Sequence, residues 1–322
     1  MRFGVECGVK SGRIDGRKAN CQNEDSREVQ GGLVVFPLGE TRSNYPGFDQ
    51  LTRLAARLAP ISFDKIDIDL SECTWLDANM SAPLGAILYR ARQGLNNVRV
   101  VGVRDALEKI LRKNEFLLRY GRPPLIDANE TTIPYRRFEP SDGRYFGAYI
   151  SEYMRGRGIP EMSEELRKKF LESYFELFSN AVIHSETKLG IYSCGQYYPQ
   201  KQRLDFSIAD LGIGIPENLR QRRQLVFSPE KAIEWAVTGT NTTRTGPVPG
   251  GLGLKLLSGF IVKNGGCIQI VSDRGYWELT AGVTHSYLLD LPFPGTVVNI
   301  ELNTADTKSY RLMSERSLDD IF

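Results

Sequence analysis

Strands and helices alternate along the first part of the sequence, and this order leaves few possible folds. Apolar runs and alternating patterns typical of strands are separated by segments whose apolar residues recur at helical spacing. We predict strands at 33–38, 65–70 and 98–103, and helices at 48–58, 82–95 and 105–118. Such alternation with short connections indicates a mostly parallel sheet covered by helices. The sequence therefore predicts a βαβα domain of the α/β class over residues 32–125.

A polar stretch with several prolines follows, and a second α/β pattern lies beyond it. Proline cannot continue a helix or sit in a central strand, so we predict a linker over residues 126–140. The second domain is predicted over 141–304, with a long helix that Ser163 caps. Its other elements are a helix from Asp142, a helix at 252–262, and strands at 188–192, 204–209, 267–272, 284–289 and 297–302. Residues 1–31 are expected to be disordered, and residues 305–322 to form a polar tail.

The composition narrows the range of partners. Lys and Arg number 41 against 39 Asp and Glu, so the net charge of +2 gives no reason to expect nucleic acid or an anionic membrane as a partner. No apolar run approaches the roughly 18–20 residues that span a bilayer, and the first thirty residues lack the apolar core of a secretory signal. The five cysteines are scattered and form no CxxC pair, so neither a metal site nor a disulfide framework is expected. We expect a cytoplasmic protein.

The predicted long helix has one apolar face and one polar pair. Its apolar face comprises Leu166, Phe170, Tyr174, Leu177, Phe178 and Ala181. Glu176 and Asn180 are four residues apart and therefore share a helix face. An amide oxygen can ligand Mg²⁺, and a nearby carboxylate can orient or deprotonate a water molecule. Taken alone, the pair is more typical of a solvated helix face.

Two glycine-containing segments also suggest ligand chemistry. Asp210, Gly212 and Gly214 directly follow the predicted strand LDFSIA. A carboxylate there can accept a hydrogen bond from the exocyclic amine of adenine, and the glycines let the backbone approach the base. The second segment, GPVPGGLGL at 246–254, leads into a predicted helix, whose clustered N–H donors suit phosphates. It is neither a Walker A loop nor a dinucleotide fingerprint, and each segment alone is also typical of ordinary turns.

The three segments ELFSNAVIHS, DLGIGIP and GGLGLKLL occur in the order and spacing of a known motif set. Together they resemble the N, G1 and G2 boxes of the gyrase, heat-shock chaperone, histidine kinase and MutL (GHKL) superfamily, which binds ATP in a Bergerat-type pocket. Gly295 and Thr296, before the strand VVNIEL, resemble a small fourth element that holds adenine through its hydroxyl. The resemblance covers about residues 141–302 and implies a two-layer α/β sandwich.

This resemblance implies roles for individual residues. Asp210 would contact adenine, while Gly212 and Gly214 would shape the pocket. Asn180 would hold Mg²⁺, and Glu176 would activate a water molecule. The other residues implied to contact the nucleotide are Gly250, Gly251, Gly253 and Thr296.

Residues 222–250 are implied to form a lid over the nucleotide. A helix-like stretch is predicted inside it at Pro229–Val237, and the lid is expected to be weakly ordered until nucleotide closes it. Arg244 in the lid could reach the phosphates, since arginine suits bidentate phosphate contact. An equally good interpretation makes Arg244 a solvated loop charge.

The segment IDIDLSECTWLDANMSAPLGAIL, followed by VRVVGV, resembles a STAS domain, the fold of sulfate-transporter tails and anti-sigma-factor antagonists. The antagonists carry Asp-Ser-Ser-Gly and are phosphorylated on the second serine. Here the match reads Asp77-Ala78-Asn79-Met80, so Asn79 stands at the acceptor position and cannot take phosphate. Ser81 is expected to start or cap the following helix. The resemblance implies a docking or sensing module that binds a protein partner.

The two resemblances together predict a Mg²⁺–ATP-binding regulatory protein. ATP hydrolysis, or phosphotransfer to a serine or threonine of a partner, would be coupled to lid closure. A histidine autokinase is excluded, because no histidine precedes His184, which lies within the first motif itself. The alternative is a non-catalytic switch that binds nucleotide without turnover, and Glu176 is the residue that discriminates the two. A homodimer remains open.

Overall fold

The computed structural model describes residues 29–30, 33–238 and 252–315. In its first half these residues form β1 (Val29–Gln30), β2 (Leu33–Pro37), α1 (Tyr45–Leu58), β3 (Lys65–Asp69), α2 (Ser81–Gln93), β4 (Asn97–Val101) and α3 (Asp105–Lys113). The second half forms β5 (Thr132–Phe138), α4 (Gly143–Tyr153), α5 (Glu164–Ser185), β6 (Ile191–Tyr198), β7 (Arg203–Asp210), α6 (Gly214–Arg223), α7 (Pro229–Val237), α8 (Leu252–Asn264), β8 (Cys267–Thr280) and β9 (Val283–Asn303). The α/β class predicted from the sequence is confirmed.

The first sheet has the predicted parallel character. Strands β2, β3 and β4 are parallel neighbours, and β1 pairs antiparallel with β2 at the edge. Residues Val29–Gln30 are therefore part of a strand, although disorder was predicted through residue 31; the rest of 1–31 lies outside the described residues. Helix α1 begins after Asn44, whose side chain accepts a hydrogen bond from Gly47 N at 3.0 Å and so caps the first turn.

The second sheet is antiparallel, with strand order β5-β6-β7-β9-β8. Strand β9 runs unbroken over Val283–Asn303, where the sequence predicted two separate strands. Its prolines, Pro292 and Pro294, accompany a shift in the β8–β9 register around Asp273. A bulge tolerates the missing proline N–H groups, so the strand bends there and continues.

Two segments that were predicted to be irregular pack into the fold. Residues Thr132–Phe138 of the predicted linker form β5 at the edge of the second sheet, and Pro134 lies within the register shift of the β5–β6 pair. An edge strand tolerates proline because only one side of it needs to be paired. In the predicted tail, Tyr310 accepts a hydrogen bond from Ser163 N and donates its own N–H to Glu161 O, each at 2.9 Å. This part of the tail is therefore fixed at the start of α5.

Helix α5 forms as its pattern predicts. The Ser163 hydroxyl accepts a hydrogen bond from Leu166 N at 3.2 Å, and two glutamates follow in the first turn. All six residues of the predicted apolar face are buried. With α4 and α8, this face covers one side of the second sheet, which we call the helix-side face. Across the described ranges, no helix combines the length and the apolarity needed to cross a bilayer.

The opposite side of the second sheet, which we call the rear face, is covered by the first half of the chain. Helices α1 and α2 share one continuous apolar core with the first sheet, for example Ile68, and with the rear face, for example Tyr192, Val271 and Val297. The first eight residues of α2 are all buried, as expected for a helix enclosed on every side. The two-layer sandwich predicted for the second half thus gains a third layer from the first half.

Candidate functional site

A cavity of about 150 Å³ lies between the helix-side face and helices α5 to α8. Its wall is mainly apolar and includes Leu177, Ala181, Ile208, Ile215, Leu219, Leu254, Ile270 and Val298. The polar side chains that reach it are Asn180, His184, Ser185, Asp210, Asn218 and Thr296. An apolar cavity with a few convergent polar groups is typical of a small-molecule site. Because whole ligand sites span roughly 300–1,000 Å³, this cavity would enclose one ring system rather than a complete nucleotide.

Asp210 is the acidic group of the cavity. It is the last residue of β7, it is only 4% exposed, and its Oδ1 accepts a hydrogen bond from Gly212 N at 2.9 Å. Burial raises the pKa of the Asp210 carboxyl to about 7, and hydrogen bonds from Gly212, Thr296 and Ser185 oppose that rise. All three of these donors are neutral. An ionised carboxylate among apolar side chains, with only neutral donors as partners, lowers the stability of the unliganded protein.

The loop after β7 fits against the end of α5 because it contains glycine. A side chain at Gly212 would place its Cβ 1.9 Å from Ser185 O, and the neighbouring Ile213 N donates to that same oxygen at 2.8 Å. Gly214, which begins α6, has φ of +77°. That left-handed conformation favours glycine. Gly214 lines the cavity, whereas Gly212 is not part of its wall and allows the loop to approach α5 closely.

Thr296 stands opposite Asp210 in the β7–β9 register and lines the cavity. Its Oγ1 lies 3.0 Å from Ser272 Oγ on β8. Ser272 Oγ also accepts a hydrogen bond from Ile215 N at 2.8 Å, so one buried hydroxyl joins β8, β9 and the start of α6. The structure thus brings Asp210, Gly214 and Thr296 together at the cavity.

Glu176 and Asn180 occupy successive turns of α5 but have different neighbours. Asn180 lines the cavity. Glu176 Oε2 accepts a hydrogen bond of 2.8 Å from Gly253 N, in the first turn of α8. A carboxylate at a helix N-terminus is stabilised by the helix dipole and by the first N–H groups. Gly253 thus lies with its N–H against the Glu176 carboxylate, one turn of α5 before Asn180.

The described part of the predicted lid is a packed helix. Helix α7 spans Pro229–Val237, as its sequence predicts, and its Ala232 and Ile233 are fully buried. Glu234 accepts a hydrogen bond of 2.6 Å from the Ser286 hydroxyl of β9. This segment is therefore docked on the β8–β9 hairpin. The remaining predicted contacts, Arg244, Gly250 and Gly251, lie outside the described residues.

Several cavity residues were not predicted from the sequence. His184 and Ser185 continue the helix face that carries the polar pair, so the four-residue spacing could have indicated them. Asn218 donates its side-chain N–H to His184 O at 2.9 Å and so fastens α6 to the end of α5. Trp235 of α7 and Ser272 of β8 reach the site through tertiary packing, for which no local pattern gives a signal.

The segment that resembles a phosphoacceptor lies away from the cavity. Asn79 and Ser81 are both fully buried on the rear-face side. Ser81 is the first residue of α2, which is one of the two predicted alternatives, and no side-chain cap bond forms at this helix start. The Ser81 hydroxyl instead accepts a hydrogen bond of 3.2 Å from the side chain of Asn114. Neither residue is accessible to a phosphoryl donor in this conformation.

Comparison with known proteins adds no family to these observations. No protein-family model matches the chain, and a search of curated proteins finds no significant match.

Proposed function

We propose that this protein is a Mg²⁺–ATP-binding regulatory protein that holds adenine in the helix-side cavity against Asp210. The observation that carries the proposal is the buried Asp210 carboxylate, surrounded by apolar side chains and neutral donors. Such a group destabilises the unliganded protein. A ligand that donates a hydrogen bond to the carboxylate offsets this free-energy cost. The exocyclic amine of adenine is such a donor, and the flat apolar ring matches the rest of the wall.

The phosphates would then extend toward the first turn of α8. The Asn180 amide oxygen would supply one Mg²⁺ ligand. In the described ranges, no three His, Cys, Asp or Glu side chains cluster closely enough to hold a metal ion. Mg²⁺ commonly takes most of its ligands from substrate phosphates and water, and a single amide from the protein suits that pattern.

Glu176 could act on a water molecule in ATP hydrolysis or on an acceptor hydroxyl in phosphotransfer. Its hydrogen bond with Gly253 N favours the alternative, a switch without turnover. An arriving phosphate would compete with the Glu176 carboxylate for the same N–H group at the start of α8. Exchange of one anion for the other would reposition α8 and signal that nucleotide is bound.

Calorimetry with ATP, ADP and GTP tests the proposal. A charge-assisted hydrogen bond is worth about 1.5–3 kcal/mol, so Asp210→Ala should weaken ATP binding by about ten- to a hundredfold. Asp67→Asn is the matched control, because Asp67 is also buried but pairs with Arg99 in the first sheet. Unchanged ATP affinity in Asp210→Ala would refute the adenine assignment.

Incubation with ATP labelled on the γ-phosphate separates the catalytic and non-catalytic versions. Label released as phosphate indicates hydrolysis, and label on a protein indicates a kinase. Label that stays on bound ATP supports the switch.

A further inference from the structure

A ring of hydrogen bonds joins the two halves of the chain at Asn79. The Asn79 side-chain nitrogen donates to Ser207 Oγ at 3.0 Å and also contacts Asn299 Oδ1. Asn299 Nδ2 donates to Gln269 Oε1 at 2.7 Å, and Gln269 Nε2 donates to Ser43 O at 2.8 Å. The Ser43 hydroxyl closes the ring, 2.9 Å from the Asn79 nitrogen. We call these five residues the polar ring.

The residues beside Asn79 are fixed to the same surface. Ala78 N donates to the Tyr198 hydroxyl of β6 at 3.1 Å. Asp77 Oδ1 accepts a hydrogen bond of 2.9 Å from Arg203 of β7, and Asp77 Oδ2 accepts one of 2.8 Å from Ser43 N. Three successive residues before α2 therefore direct polar groups to the rear face.

The polar ring needs an amide at position 79. The Asn79 amide presents two N–H groups and one carbonyl oxygen, and acceptors on both halves of the chain surround it. A hydroxyl has a single hydrogen and could not serve Ser207 and Asn299 together. Because Asn79 is 0% exposed, a phosphoryl group at this position would also have no space.

We infer that the surface around Asn79 is an interaction surface whose partner is the second half of the same chain, and that Asn79 is the residue that latches the two together. The inference does not depend on the identity of the ligand in the cavity. It explains why an amide stands where the resembling antagonists have a serine. Any further protein partner binds elsewhere or must first open this contact.

A negative charge at position 79 opens the latch. Asn79→Asp removes both N–H donors and places a carboxylate against Asn299 Oδ1. The rear face already carries Asp205 and Glu301, and burial raises the pKa of both carboxyls. Arg203 is shared among Asp77, Asp205 and Glu301 at 2.9–3.3 Å, so little positive charge is left for another carboxylate.

Two buried cysteines make the opening measurable. Cys194 of β6 lies on the rear face, where Asn114 Nδ2 approaches its sulfur to 3.5 Å. Cys73 lies inside the first half of the chain, with its sulfur 3.4 Å from Trp75 O. Burial raises the pKa of Cys194 to about 12 and that of Cys73 to about 11, which suppresses both thiolates. Opening of the latch would admit water to Cys194 alone, whereas global unfolding would expose both.

The experiment is alkylation of the full chain, with the rate at each cysteine read by peptide mass spectrometry. Asn79→Asp should raise the rate at Cys194 at least tenfold and leave the rate at Cys73 within about twofold of wild type. The matched control is Asn96→Asp, because Asn96 is buried and its side chain bonds within the first half of the chain, the nitrogen to Ile61 O and Ala91 O and the oxygen to Asp64 N. The control should not favour Cys194 over Cys73.

Equal acceleration at both cysteines in Asn79→Asp, or none at Cys194, would overturn the inference. If Asn79→Asp does not fold, Asn79→Ala removes the donors without adding charge and is alkylated in low urea. There the ratio of the Cys194 rate to the Cys73 rate should rise at least threefold above wild type. A ratio equal to that of wild type would equally overturn the inference.

Discussion

Replacement of Asp210 by asparagine should stabilise the protein without nucleotide, and the gain should depend on pH. The folded pKa is about 7 against an ordinary value of 3.8, so the folded protein holds a proton that the unfolded chain releases between these pH values. The free energy of unfolding therefore falls as pH rises through this window and is constant above it. At 1.36 kcal/mol per pKa unit, the ionised Asp210 carboxylate costs about 4 kcal/mol at pH 8. Asparagine removes that cost and keeps the shape of the side chain.

Urea unfolding of wild type and Asp210→Asn at pH 5, 6, 7 and 8 measures this effect. The difference between the two proteins isolates Asp210, because the other titrating groups are common to both. The advantage of the variant should grow by about 3 kcal/mol between pH 5 and pH 8, most of it below pH 7. Asp67→Asn should instead lower the stability, since it breaks the ion pair with Arg99. A stability difference that is the same at all four pH values would refute the reasoning.

Further predictions concern the site and the contact between the halves. ATP binding at pH 7 should release about half a proton as Asp210 ionises; calorimetry in buffers of different ionisation enthalpy would show a slope, and a zero slope would contradict it. Glu176→Gln should bind ATP at least as tightly as wild type, because the carboxylate that competes for Gly253 N is removed, and should lose about 10²–10⁴-fold in any turnover, measured as phosphate release; wild-type turnover in this variant would exclude a general base. Arg203→Met should lower stability by about 3 kcal/mol, because it removes the cation that Asp77, Asp205 and Glu301 share where the two halves meet; an unchanged urea midpoint would show that the arginine is dispensable. A chain that begins at residue 126 should aggregate, because the apolar rear face would be exposed; a monodisperse monomer in light scattering would contradict this.

Local signals in the sequence predicted the helices best. Ser163 and the regular apolar spacing determined α5, and Pro229 in the first turn determined α7, because caps and periodicity act over a few residues. The prolines misled the strand predictions. Pro134 and Pro294 lie at register shifts, where a strand tolerates them, and a single sequence does not show which prolines fall at a bulge.

Those residues of the candidate site that belong to the sequence motifs could be predicted. Asn180, Asp210 and Thr296 all line one cavity, and the resemblance to a known motif set had grouped them. Trp235 reaches the cavity only because α7 docks on the β8–β9 hairpin. The polar ring could not be predicted from the sequence either. It depends on contacts between residues more than a hundred positions apart, such as that of Asn79 with Ser207.

Along β7, β8 and β9, successive side chains alternate between the two faces of the second sheet. On β7, on β9 and on β8 as far as Ser272, the even-numbered residues, such as Ile208, face the cavity side, and the odd-numbered residues, such as Ser207, face the first half of the chain. Beyond the register shift at Asp273 the order reverses on β8, where Tyr276 packs with the first half and Trp277 on the helix side. A saturation mutagenesis library of these strands should therefore separate into two phenotypes with a period of two. If the first half of the chain were replaced by a different domain, the sheet residues that face it would have to be replaced to match the new domain. The neighbouring residues that face the cavity could be redesigned for a new ligand without changing the contact with the first half of the chain.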